Sequence, residues 1–116
     1  MSESTEFFGY IKDGISKGIR IVNIRSREAY DTIIMKNKIK SLNKKKKSSI
    51  VDIGNSVYRM HKHKGEIDIE SVKTKCNDIR TIEDNTSSLE EELRLVHENA
   101  QKELGRLKAI TKPKED

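Results

Sequence analysis

The sequence predicts an all-α protein: an elongated antiparallel helical hairpin, of coiled-coil type, over residues 35–110, preceded by an amphipathic N-terminal helix over 1–34. Three observations predict it. Apolar residues recur at spacings of three and four along extended segments, which is the face of a helix and not the alternation of a strand. Lys and Glu are abundant, and the one proline stands at position 113, so no proline breaks a helix before it. Between the two strongest segments lies a short group of helix-ending and helix-starting residues, which places the tip of the hairpin at 63–67.

Taken in order, residues 1–5 offer Ser4 or Thr5 as a helix cap. From Glu6 an amphipathic segment begins, with Phe8, Ile11, Ile15, Ile19, Val22, Ala29 and Ile33 on one face. Phe7 sits at the edge of that face, and Asp13, Ser16, Arg20, Arg27 and Asp31 lie opposite. Gly9, Gly14 and Gly18 fall within it, each costing a helix about 0.5–1 kcal/mol relative to Ala. Two uses of this segment suggest themselves. As a docking helix it would bury Phe7, Phe8, Ile11, Ile15 and Ile19 in a membrane surface or a partner, with Lys12, Lys17 and Arg20 near phosphates. As packing, residues 20–34 would cover the far end of the second arm of the hairpin.

The first arm follows, with Met35, Ile39, Leu42, Ile50, Ile53, Val57 and Met60 as its apolar stripe. Wound as one helix, this stripe is turned by roughly 130° from that of Phe8–Ile33. Either the helix breaks near Thr32–Asn37 or the two stripes face different partners. At the tip, Arg59, Lys62 and Lys64 suit the carbonyl end of a helix. Gly65 suits its termination, Asp68 can cap the next helix, and Glu66 and Glu70 lie near its positive end. A connection so short forces the arms antiparallel, so position i faces roughly position 130 − i.

The second arm carries Val72, Cys76, Ile79, Ile82, Thr86, Leu89, Leu93, Val96, Ala100, Leu104, Leu107 and Ile110 at spacings of three and four. Beyond it, residues 111–116 are expected to be a disordered tail. Midway, the inward positions between Leu42 and Ile50 are polar, and so are those from Glu83 to Ser88. A wet or bent section is expected where they meet.

Charge is divided along the chain. Residues 1–64 hold 15 basic and 6 acidic side chains, a net of +9, and residues 65–116 hold 9 and 13, a net of −4. The densest run is Lys44, Lys45, Lys46 and Lys47, a candidate contact for an anionic surface. In the hairpin these lysines face Glu83 and Asp84, which accounts for most of the run as charge pairing across the arms. No aromatic residues alternate with them for stacking on bases, so specific nucleic-acid binding is disfavoured.

Catalytic and metal chemistry find little support. At 116 residues, with 33% hydrophobic and 37% charged side chains and no Trp, the chain lacks the means for a broad core. His61 and His63 stand two apart, on different helical faces, and His97 lies near the far end of the second arm without a cluster of metal-ligating partners. Cys76 is the one cysteine; its place on the stripe suggests a small buried hydrophobe. No cofactor, metal ligand or catalytic residue is expected. A single cysteine, no apolar run of membrane-spanning length and an acidic start suit the cytoplasm, with the inner face of the membrane as the alternative address.

With these residues set out, the chain resembles a helical module of small uncharacterised bacterial proteins, several of which carry a zinc ribbon after it. The resemblance rests on Phe7-Phe8-Gly9-Tyr10-Ile11-Lys12-Asp13-Gly14, Ile39-Lys40-Ser41-Leu42, Ile53-Gly54-Asn55-Ser56-Val57-Tyr58, Gly65-Glu66-Ile67-Asp68 and Cys76-Asn77-Asp78-Ile79, within residues 7–95. It implies a cytoplasmic coiled-coil hairpin. There is no Cys-x-x-Cys pair here, so the zinc ribbon does not carry over. The expected function is a non-enzymatic coiled-coil scaffold or adaptor, working as a homo-oligomer and by binding another protein. The alternatives are a peripheral protein docked on an anionic membrane surface and, third, a non-specific nucleic-acid-associated basic protein.

Overall fold

The computed structural model describes residues 2–63 and 65–111, and side chains from 6 to 109 within them. It is an all-α helical hairpin of two helices, α1 over Ser2–Lys62 and α2 over Ile69–Thr111. The break considered near Thr32–Asn37 is absent, since α1 passes through it. The two apolar stripes of α1 therefore belong to one helix. Thr111 is the last residue of α2, while Lys64 of the tip and residues 112–116 of the expected tail lie outside the described residues. By packing, the chain divides into two compact units. One comprises the described residues of 1–33 and 93–116, the other Ile34–Glu92.

The Ile34–Glu92 unit contains the tip. His63 donates its N–H to Arg59 O and Gly65 to Met60 O, both at 3.1 Å, the second being the five-residue-back bond of a Schellman-type helix end. Asp68 caps α2 as expected: its Oδ1 accepts the N–H of Ser71 at 3.2 Å, occupying a donor that the first turn leaves without an intrahelical partner. Arg59, His61 and Lys62 stand in the last turn of α1 and Glu70 in the first turn of α2, both favourable to the helix dipoles.

Packing in this unit follows a strict period. Met35, Ile39, Leu42, Lys46, Ser49, Ile53, Val57 and Met60 are half-buried positions of α1 at this period; Val72, Lys75, Ile82, Thr86 and Leu89 are those of α2, around a buried Ile79. Two expectations are corrected by that period. Stepping back from Ile53 by a heptad interval lands on Lys46 and Ser49, so Ile50 is exposed. Stepping back from Ile79 lands on Lys75 and Val72, so Cys76 is exposed and not buried. Lys75 can occupy its position because its stem is apolar, while its Nζ donates to Ser56 Oγ at 2.7 Å. The mid-arm polar layer is present without a break in either helix. Lys46 Nζ lies 3.5 Å from Glu83 Oε2, and Thr86 Oγ1 donates to Ile82 O at 2.8 Å.

In the other unit, Ile21, Ile24, Glu28, Asp31 and Thr32 of α1 are partly buried, as are Val96, His97, Glu103, Leu104 and Leu107 of α2 around a buried Ala100. Residues 20–34 thus do pack beside the far end of α2, but with a different face from the one expected. Phe8, Ile11, Ile15, Ile19, Val22, Ala29 and Ile33 are all exposed. Continuity of α1 is the reason. Ile21, Ile24, Glu28 and Asp31 recur at spacings of three and four, so an unbroken helix places them on one face and Phe8, Ile15 and Ile33 on the other. Register shifts as well: His97 pairs with Glu28 at 3.3 Å, where simple antiparallel counting would place it opposite Ile33.

Candidate functional site

The feature that the fold leaves unexplained is the outward face of α1 between Phe8 and Ile33. Phe8 is 69% exposed, Ile15 58% and Ile33 60%, with Phe7, Ile11, Ile19, Val22 and Tyr30 exposed beside them. Phe7 and Phe8 meet edge to face, their ring centroids 6.4 Å apart. The whole of the predicted docking set, Phe7, Phe8, Ile11, Ile15 and Ile19, is therefore brought to one solvent-facing surface. Scattered exposed apolar residues need no explanation, but a contiguous row over several turns does.

Two of the cations assigned to this face belong elsewhere. Lys17 is partly buried, and Lys17 and Arg20 line a cleft with Leu107 on the side of α1 turned toward α2. Lys12 is exposed, and Arg25, which sequence reasoning did not single out, is exposed as well. Winding α1 at 3.6 residues per turn places each within about 75° of the centre of the apolar face, one on either edge. The helical-wheel count that found the apolar row contained this signal.

The lysine run is similarly split. Lys44, Lys45 and Lys47 are exposed, whereas Lys46 turns inward to Glu83, so three of the four remain as candidate contacts for an anionic surface. The exposed pair formed by Lys46 contributes only tenths of a kcal/mol to about 1 kcal/mol, but it fixes which lysine faces in.

The His97–Glu28 pair is the polar association that the sequence did not reveal. It sits beside a cleft of about 180 Å³ whose lining includes Arg27, Asp31, Asn99 and Glu103. That volume is below the roughly 300 Å³ at which small-molecule sites begin. Arg94 pairs with Glu98 one turn along α2. His61 and His63 are exposed at the tip. Among the described residues no group of three or more His, Cys, Asp or Glu side chains is placed to hold a metal ion, and no helix is long and apolar enough to cross a membrane. The chain matches no protein-family model, no curated protein and no solved structure.

Proposed function

We propose that this chain is a non-enzymatic helical-hairpin scaffold or adaptor that acts in the cytoplasm by self-association and protein binding. One observation carries the reading: the inward stripe is left half-open. Among described hydrophobic side chains only Ile79, at 9% exposure, and Ala100, at 6%, are buried. Met35, Ile39, Leu42, Ile53, Ile82, Leu89 and Leu93 stay partly open to solvent. Two helices side by side cannot enclose a shared core, and pairing with a second hairpin into a four-helix arrangement covers these edges.

Sedimentation equilibrium over a wide concentration range tests this. A mass that rises from one chain to a multiple of it, and that is unchanged in high salt, supports apolar association. A single-chain mass at every concentration overturns it. Running the same series with Ile15→Asp separates association through the hairpin edges, which the substitution leaves intact, from association through the outward face of α1.

A further inference from the structure

We propose that the outward face of α1 from Phe8 to Ile33 lies on an anionic lipid surface and holds the hairpin there. This goes beyond the scaffold reading and does not depend on it. The occupant is chosen by charge. Along residues 6–33 the two charged side chains that flank the apolar face, each within about 75° of its centre, are Lys12 and Arg25, both cationic. Glu6, Asp13, Glu28 and Asp31, the acids of this segment, all lie about 130° or more from that centre. Glu28 is paired with His97 there. A second copy laid against this face would bring Lys12 and Arg25 toward another Lys12 and Arg25 with no acid among the flanking positions. Anionic headgroups would meet them favourably, each cation near such a surface adding to the attraction.

The period of the face points the same way. Ile11, Val22 and Ile33 stand eleven residues apart, and so do Phe8, Ile19 and Tyr30. Eleven residues make three turns at about 3.67 residues per turn, close to the 3.6 of an undistorted helix, so the row stays nearly straight. A straight row suits a flat boundary. The side of the chain that packs helix on helix keeps the seven-residue period of a left-handed coil, as in Ile79, Thr86, Leu93 and Ala100. Gly18, within the same face, has open space around it and adds no side chain that would hold the row off the lipid. The helix lies on the surface and does not span it, in keeping with its mixed composition.

Flotation of the full chain with vesicles tests the proposal, using phosphatidylcholine alone and phosphatidylcholine mixed with phosphatidylglycerol. The full chain is expected to float with the anionic vesicles and to remain behind with the neutral ones. Ile15→Asp should lower the bound fraction about tenfold or more, and the pair Lys12→Gln with Arg25→Gln should lower it several-fold. Val51→Asp, also at an exposed position of α1, should leave it unchanged. Because the chain has no Trp, Phe8→Trp supplies a single reporter whose emission should shift to the blue only with anionic vesicles. Failure of the unaltered chain to float overturns the proposal outright, without reference to any variant. So does flotation that Ile15→Asp does not reduce. If instead Ile15→Asp lowers the oligomeric mass in the absence of lipid and no flotation occurs, the face belongs to a second copy and the lipid assignment is wrong.

Discussion

Ile79 shows what one residue contributes in so thin a core. It is the most enclosed side chain of its unit, and truncation removes both its transfer free energy and its contacts. Ile79→Ala is expected to lower stability by about 2–4 kcal/mol in urea titration. Ile19→Ala, on the exposed face, should change it by less than about 0.5 kcal/mol. Gly54 offers the opposite case: a methyl group there meets nothing within 4 Å, and the residue is in mid-helix. Gly54→Ala should raise stability by about 0.5–1 kcal/mol in the same titration. Single residues were unevenly legible. Ile79 and Asp68 could be read because heptad position and cap chemistry are local. The exposure of Cys76 and Ile50 could not, since hydrophobicity alone favoured them over Lys75 and Ser49. The seven-residue period decides between neighbours that differ by one position.

At the scale of elements, α1 carries two apolar stripes and α2 carries one. The phase difference between the Phe8–Ile33 and Met35–Met60 stripes was visible in the sequence, and it distinguished a break from a two-faced helix without choosing between them. What the sequence concealed is the face used beside α2 in the N-terminal unit, because that face includes Glu28, Asp31 and Thr32 in place of an apolar row. Its polar layer is open to test. The Glu28–His97 pair is partly buried, and such pairs are often replaceable by well-packed apolar residues without loss. Glu28→Leu together with His97→Leu should leave the chain as stable as before or more so by about 1 kcal/mol, measured by thermal unfolding followed by circular dichroism. At the start of α2, Asp68→Ala removes the acceptor for Ser71 N–H and should cost about 1 kcal/mol.

For the molecule as a whole, the fold class was legible because two uninterrupted periodic segments and a short punctuated tip admit few other arrangements. Function was far less so, since a half-open stripe and an exposed apolar face are properties of packing, fixed only once the rotation of each helix is known. The whole-molecule prediction is therefore one of association. Heat-induced unfolding should occur at higher temperature as protein concentration rises, because oligomers are stabilised by mass action. A transition temperature independent of concentration would argue for a monomer.

The compact tip also sets the order of events when the chain folds. Met60 and Asp68 are joined by a connection of a few residues and fixed there by the bonds of Gly65 and Ser71. Closing so short a loop costs little entropy, whereas bringing Lys46 to Glu83 first requires closing a much longer one. Within that unit, contacts should begin near Val57 and Val72 and zip outward, each new pair shortening the search for the next. Val72→Ala should therefore slow refolding in stopped-flow experiments, while Ile39→Val, at the distant end, should mainly hasten unfolding. A nascent or partly unfolded chain would keep its hinge long after its ends had parted.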